Sequence, residues 1–157
     1  MRKAMGFAVL ALAVGAGIGA GLGMQPGSMG APVRPYHDGS VWDVAFIRIK
    51  PGMDAAYMAY IAGQWKTEQE AMKKEGFILS YKVLSCESHG PGDFNLMLMT
   101  EFKDLATLEA NEPKIDALSQ RVLGDDQKQM QGYKDRSEIR EVMANRLSRE
   151  IILEPKK

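Results

Sequence analysis

Cysteine, histidine and net charge are scarce in this chain. Its 157 residues include one cysteine and two histidines, and 20 basic residues balance 20 acidic ones. A single cysteine excludes an intramolecular disulfide framework and a zinc site built from thiolates. Zero net charge argues against nucleic-acid binding, because proteins that bind nucleic acid carry a basic surplus. What is present is 45% apolar and 25% charged residues, the composition of one globular domain.

Charge is also missing from the N-terminal part of the chain. No charged residue occurs between Lys3 and Arg34, and residues 4–22 are only apolar residues and glycine. A basic start, an apolar run and a small-residue end are typical of a secretory signal peptide. An uncleaved membrane anchor is the alternative, because the run has roughly the 20 residues that span a bilayer. We therefore predict a signal peptide or anchor over 1–23 and an exported protein, periplasmic or secreted.

Turn-forming residues follow the apolar run. Residues 24–40 contain several prolines and glycines and show no apolar period, which predicts a flexible linker. His37 lies in this segment and is expected to be solvated. The folded domain is then predicted to occupy residues 41–157.

Apolar periodicity in the domain predicts the order strand, helix, strand, strand, helix, strand. We expect Asp54 to cap the first helix, Pro113 to break the second, and Gly132 to interrupt a helical insertion before the last strand. The order predicts a ferredoxin-like α+β fold, in which helices cover one face of a four-stranded antiparallel sheet. The predicted strands are 41–50, 77–87, 94–103 and 146–153, the helices are 53–75 and 104–123, and the insertion is 124–145.

No second set of helices is available for the other face of this sheet. That face is nevertheless apolar, and an exposed apolar face of this size marks an interface. Two copies packed face to face would bury it in a symmetric homodimer. The predicted apolar residues of this face are Trp42, Val44, Phe46, Leu84, Met97, Met99 and Ile152.

The pattern resembles a known superfamily. A strand ending in Ile49-Lys50-Pro51-Gly52, a helix containing Trp65, and a Gly76-Phe77 start to the following hairpin are similar to the dimeric α/β-barrel proteins. These include antibiotic-biosynthesis monooxygenases, NIPSNAP-like proteins and stress-responsive barrel proteins. The resemblance covers residues 41–153. It implies two sheets that form a barrel around a cavity, where many members bind a small apolar or aromatic compound.

The barrel interior is where we expect ligand-binding residues. It mixes apolar walls with a few polar groups, as ligand sites do. We expect Arg48 and Lys82 to meet Glu101 and Glu150, either as ion pairs that fix dimer register or as a site that orients a carboxylate or phenolate. The predicted ligand-binding residues are Phe46, Arg48, Lys82, Asn95, Met97, Met99 and Glu101.

Few residues are candidates for catalysis. His89 is the only histidine of the predicted domain, and its ring suits proton transfer near neutral pH. Arg48 is the second candidate. One histidine cannot build a histidine-rich metal site, and we expect neither a metal nor a cofactor. The first functional hypothesis is a protein that binds a small apolar ligand. The alternative is a cofactor-independent monooxygenase or isomerase that acts on an aromatic or quinone-like substrate.

Overall fold

The computed structural model describes residues 34–87 and 89–155. The predicted signal peptide or anchor, and the first part of the predicted linker, lie outside these residues. Among the described helices, none is both long enough and apolar enough to cross a bilayer.

Four strands form one antiparallel sheet. They are β1 (Tyr36–Ile49), β2 (Ser80–Ser85), β3 (Leu96–Phe102) and β4 (Arg140–Leu153). Their order across the sheet is β2-β3-β1-β4, and each neighbouring pair is antiparallel. Helical segments connect β1 to β2 and β3 to β4. This arrangement confirms the predicted ferredoxin-like α+β fold, including the helical insertion before the last strand.

The first crossover is one continuous helical run with a wide turn in its middle. It comprises α1 (Asp54–Tyr60), a π-helical turn (Ile61–Trp65) and α2 (Lys66–Lys74). Four of its buried residues, Tyr57, Ile61, Trp65 and Gln69, follow one another at intervals of four. In an α-helix, each step of four would rotate the side chain by about 40°, because 3.6 residues make a turn. The wider π turn compensates for that drift and keeps these side chains against the sheet.

The second crossover contains α3 (Leu105–Leu123) and α4 (Asp126–Ser137). The side chain of Asp104 caps α3 by accepting a hydrogen bond of 2.6 Å from the Thr107 amide. Gly124 ends α3 with a φ of 103°, a conformation that favours glycine. Asp125 caps α4 in turn, through a 2.9 Å bond from the Lys128 amide.

Three expectations about these helices are wrong. Asp54 does not cap α1, whose N-cap is Met53 without a side-chain hydrogen bond. Pro113 lies inside an unbroken α3, where it and Glu109 are exposed, so water can satisfy the carbonyl that loses its partner. Gly132 lies inside an unbroken α4, because one glycine costs a helix only about 1 kcal/mol.

The two long strands also extend beyond their predicted bounds. β1 begins at Tyr36, so residues 36–40 of the predicted linker are in a strand. β4 begins at Arg140, so residues 140–145 of the predicted insertion are also in a strand. The cause is mutual pairing, which runs from Tyr36 opposite Leu153 to Ile49 opposite Arg140. Ladder hydrogen bonds satisfy the backbone of these polar segments, whose side chains give little periodic signal.

The core lies between the helices and one face of the sheet. One cluster joins Ile47, Ile49, Leu96 and Leu98 of the sheet to Tyr57, Ile61 and Trp65 of the first helical run. A second cluster joins Met72, Ile78, Phe102 and Leu118. Tyr57 and Trp65 pack against the sheet, and Tyr57 is 1% exposed.

Candidate functional site

The face of the sheet opposite the helices is apolar along its middle. Residues directly opposite each other in a ladder project to the same side. Phe46 of β1 is opposite Met97, which is opposite Leu84, and Val44 is opposite Met99. Leu84 is exposed and Phe46, Met97 and Met99 are partly exposed, whereas Val44 is buried. We call this surface the open face; it comprises Trp42, Val44, Phe46, Arg48, Ser80, Lys82, Leu84, Met97, Met99, Glu101, Glu141, Ala144, Arg146 and Ser148.

Aromatic rings and charged groups border the apolar middle of the open face. The Lys82 ammonium lies 4.8 Å from the centroid of the Trp42 ring, a cation–π contact. At the other end, the Phe94 ring meets the Phe46 ring edge to face, with centroids 4.8 Å apart. Ile152 was also predicted for this face. It lies near the end of β4, opposite His37 and past a bulge between Asp38 and Val41, and is 40% exposed.

The expected ion pairs between Arg48 or Lys82 and Glu101 or Glu150 do not form in the described chain. Arg48 instead pairs with Glu141, its cross-strand neighbour on β4. Glu101 accepts a hydrogen bond from Ser80, which is opposite it on β2. Glu150 accepts one from Ser40 at 3.2 Å. Arg48 and Glu101 thus use their ladder partners, and the position of Glu141 on a strand was not predicted.

All the predicted ligand-binding residues except Asn95 lie on the open face. The Asn95 side-chain oxygen accepts a hydrogen bond of 2.9 Å from the amide of Ile49, at the end of β1. Asn95 therefore continues the hydrogen bonding at the end of the β1–β3 pairing, next to the loop of the β2–β3 hairpin. Its side chain borders a cavity on the helix side of the sheet.

That cavity has a volume of about 510 Å³ and lies between α1 and the ends of β1, β2 and β3. Met58, Val83 and Leu96 form apolar parts of its wall, whereas Asp54, Cys86 and Asn95 contribute polar atoms. Sequence reasoning did not assign Asp54, Met58 or Cys86 to any site. The only available signal was the weak one that Asp54 and Met58 lie one helical turn apart. The full lining is Ile49, Asp54, Met58, Val83, Ser85, Cys86, Asn95 and Leu96.

The two histidines lie in different elements, and neither is one of the residues of the open face. His89 is exposed in the hairpin loop, where its backbone amide donates to Asp93 at 3.3 Å. His37, placed in β1 and not in a linker, has its Nδ1 atom 2.7 Å from a carboxylate oxygen of Glu154. Among residues 34–87 and 89–155, no group of three or more acidic, histidine or cysteine side chains converges as a metal would require.

The tyrosines of the core have altered titration. Burial raises the pKa of Tyr57 to about 12, although Arg140 and Arg136 oppose this effect. Burial also raises the pKa of Tyr60. The hydrogen bond that Tyr81 donates to Glu70 raises the pKa of the Tyr81 hydroxyl.

Alkaline pH should destabilise the fold through Tyr57. In the unfolded chain this phenol ionises near its ordinary pKa of 10.0, whereas in the fold it keeps its proton to about 12. Between these values the unfolded state binds fewer protons, so the free energy of unfolding falls as pH rises. The loss should total about 2–3 kcal/mol, since one pKa unit corresponds to ~1.4 kcal/mol.

Urea unfolding between about pH 9 and pH 12 checks this expectation, because the slope of stability against pH reports proton binding. Tyr57→Phe should remove this part of the pH dependence. Tyr133→Phe is the matched control, since Tyr133 is 56% exposed. Equal pH slopes for the wild-type protein and Tyr57→Phe would contradict the assignment.

Comparison with known proteins reveals similarity of fold. No family model matches the chain, and no curated protein matches its sequence. Solved structures match: a NIPSNAP family protein of unknown function from Agrobacterium tumefaciens is 16% identical, with a TM-score of 0.49 over 78% of this chain and 98% of that one. A dimeric ferredoxin-like protein from an uncultured marine organism is 14% identical, with a TM-score of 0.47 over 76% and 100%.

HapK from Hahella chejuensis is a third similar structure. It is 10% identical, with a TM-score of 0.43 over 69% of this chain and 90% of that one. Sequence identities this low speak for the fold alone. The strand order β2-β3-β1-β4, with helices on one face of the sheet, defines the class: the protein has a ferredoxin-like α+β fold.

Proposed function

We propose that this is an exported protein that works as a homodimer and holds a small, mostly apolar ligand between the two sheets. The observation that carries the proposal is the open face. It presents Phe46, Leu84, Met97 and Met99 side by side on adjacent strands, and the described helices cover only the opposite face. A continuous apolar surface of this kind on a small domain marks a binding surface.

A second copy of the chain is the occupant that suits this face best. The open face carries cations on its two outer strands, Lys82 on β2 and Arg146 on β4, and a carboxylate, Glu101, on β3 between them. A two-fold axis brings each patch against the same patch of the other copy. Carboxylates of one sheet can then approach cations of the other, while the apolar middle is removed from water.

Binding is favoured over catalysis by the state of the candidate catalytic groups. Arg48 already pairs with Glu141, and its guanidinium is thereby neutralised locally. His89 is exposed, and its described contact is made by the backbone. The oxygenase or isomerase alternative needs a polar group that is directed at a substrate and free to move a proton. The apolar middle of the open face instead suits a ligand that is held by packing.

Export is proposed from the sequence of residues 1–23 alone. Arg2 and Lys3 precede an apolar, glycine-rich run, which is the pattern of a secretory signal. The same run kept in place would instead anchor the domain to a membrane.

Native mass spectrometry of the protein purified from its own host tests assembly and ligand together. The expected spectrum contains a dimer that carries additional mass, which is released with organic solvent. A mature N-terminus after the apolar run would identify the signal peptide. A folded monomer at micromolar concentration would overturn the barrel, whereas a dimer without retained mass would keep the assembly and reject the retained ligand.

A further inference from the structure

A second cavity lies on the helix side of the protein, between α4 and the π-helical turn. Its volume is about 410 Å³, within the range of small-molecule sites. Tyr60, Gln64 and Glu68 form one wall, and Met130, Tyr133 and Arg136 form the other. The sheet separates it from the open face, so it is distinct from the ligand site proposed above. The helical insertion before β4 contributes to this cavity, because α4 forms one of its walls.

Two arginines at this cavity are held by aromatic rings. The Arg136 guanidinium lies 4.6 Å from the centroid of the Tyr60 ring. The Arg140 guanidinium lies 5.7 Å from the Tyr57 ring and 5.6 Å from the Tyr133 ring. Stacking on rings fixes the plane of a guanidinium group and leaves its edge free to donate hydrogen bonds. The rings thus orient the charge of Arg136, which lines the cavity, and that of Arg140, which does not line it but contacts the wall residue Tyr133.

These arginines have no anionic partner in the described part of the chain. The ion pairs there involve Arg48, Arg121, Arg149 and His37, and neither Arg136 nor Arg140. The Nε atoms of both Arg136 and Arg140 are buried and lack a hydrogen-bond partner. A buried donor without an acceptor costs about 1–3 kcal/mol, and more for a charged group. A bound anion would give an acceptor to the guanidinium group of Arg136, the arginine that lines the cavity.

Local sequence details keep Arg136 in this position. A Cβ atom at position 132 would lie 3.0 Å from the Arg136 Nη1 atom, so Gly132 leaves room for the guanidinium to fold along α4. Gln64 lies in the π-helical turn. Tyr60 and Glu68, four residues before and after it, line the same cavity. Single π turns of this kind are frequent at functional sites.

The remaining charged group restricts which anion can bind. Glu68 lines the cavity and accepts a hydrogen bond of 2.6 Å from Ser119, so its carboxylate is fixed. A second negative charge near it would be repelled, which disfavours dianions such as phosphate esters. A hydroxyl or amine on the ligand would instead donate to Glu68. Tyr133 and Met130 add an apolar surface to the same cavity.

We infer that this cavity binds a small aromatic monocarboxylate that carries a hydrogen-bond donor at the far end of its ring. The carboxylate accepts hydrogen bonds from Arg136, with Arg140 adding positive charge behind it. The ring packs against Met130 and Tyr133. The donor at the opposite end bonds to Glu68.

Calorimetric titration of the full chain with three probes tests the inference. The probes are para-hydroxybenzoate, benzoate, which lacks the donor, and phenol, which lacks the carboxylate. We expect para-hydroxybenzoate to bind with one site per chain, and each of the other two to bind more weakly by about tenfold, the value of one charge-assisted hydrogen bond. Absence of binding by para-hydroxybenzoate at millimolar concentration would overturn the inference.

Variants then locate the binding. Arg136→Gln should weaken para-hydroxybenzoate binding by at least about tenfold, and Arg136→Lys, which keeps the charge but loses the planar fork, by less. Glu68→Gln should weaken para-hydroxybenzoate and leave benzoate unchanged or tighter. Arg121→Gln is the matched control, because Arg121 is an exposed arginine on α3 that pairs with Glu75. If Arg136→Gln and Arg136→Lys, both folded by circular dichroism, bind like the wild-type protein, the arginines only pack on the tyrosines and the inference is wrong.

Discussion

Replacing Met97 by glutamate is expected to convert the proposed homodimer into a folded monomer. Met97 lies at the centre of the open face, between Phe46 on β1 and Leu84 on β2. In the single chain its side chain is partly exposed, so water can solvate a carboxylate there and the domain still folds. Between two sheets the same carboxylate loses its water, and symmetry places a second one in the interface. The dissociation constant should rise by at least about a hundredfold, or ~2.8 kcal/mol.

Sedimentation velocity over a dilution series measures this change. Met130→Glu is the matched control, since Met130 is a methionine on α4 that is 61% exposed and lies on the other side of the sheet. It should leave the dissociation constant unchanged. If Met97→Glu stays dimeric at the wild-type concentration range, the copies meet through another surface and the barrel proposal fails. If both variants become monomeric, added charge and not the open face is responsible.

The location of the open face could be predicted because strand periodicity is a local property. Alternation of side chains along β1 and β3 places Phe46 and Met97 on one face whatever the rest of the chain does. The turn-forming loop between the second and third predicted strands likewise identified the hairpin, which the β2–β3 pairing confirms. These inferences need only the period of two, and a shift of a strand end by a few residues does not change them.

The strand ends and the ionic partners could not be predicted, because they depend on which segments meet. Residues 140–145 do not alternate between apolar and polar residues, which favours a continuation of the insertion, yet pairing with β1 makes them a strand. Once they are a strand, Glu141 comes opposite Arg48 and takes the partner that had been assigned to Glu101 or Glu150. A single wrong boundary therefore changed the charge pairing across the open face.

The α4 cavity was missed for a different reason. Its walls come from segments about seventy residues apart, and each segment alone looks like the solvated side of a helix. Arg136 and Arg140 belong to no recognisable sequence motif, and isolated arginines in a polar segment are usually solvated. What distinguishes them is contact with the rings of Tyr60, Tyr57 and Tyr133. Only tertiary packing brings the two groups together.

Replacing Trp65 by alanine is expected to cost the largest amount of stability of any single change considered for this chain. The Trp65 side chain is 8% exposed, and its ring meets the Tyr81 ring edge to face with centroids 5.4 Å apart. Truncation of a buried tryptophan to alanine costs about 3–5 kcal/mol, through lost burial and the cavity it leaves. The free energy of unfolding of a small domain is only about 5–15 kcal/mol, so the variant should lose a large part of its stability. Urea unfolding followed by circular dichroism measures the loss.

Trp65→Phe provides the comparison that separates packing from a general defect. Phenylalanine keeps an aromatic edge against Tyr81 and fills most of the space, so the loss should be smaller, about 1–2 kcal/mol. Equal losses for alanine and phenylalanine would contradict the packing account, as would a loss below about 1 kcal/mol for alanine.

The phenylalanine variant also leaves Trp42 as the only tryptophan, because the chain contains two. Trp42 lies on the open face beneath the Lys82 ammonium, so its fluorescence reports burial of that face directly. In a dimer whose two sheets pack together, dilution should shift the Trp42 emission to longer wavelength as water reaches the ring. The same dilution should lower the apparent stability, since association stabilises the folded state by mass action. Emission that does not change with concentration, in a protein that sedimentation shows to dissociate, would place the dimer contact away from Trp42.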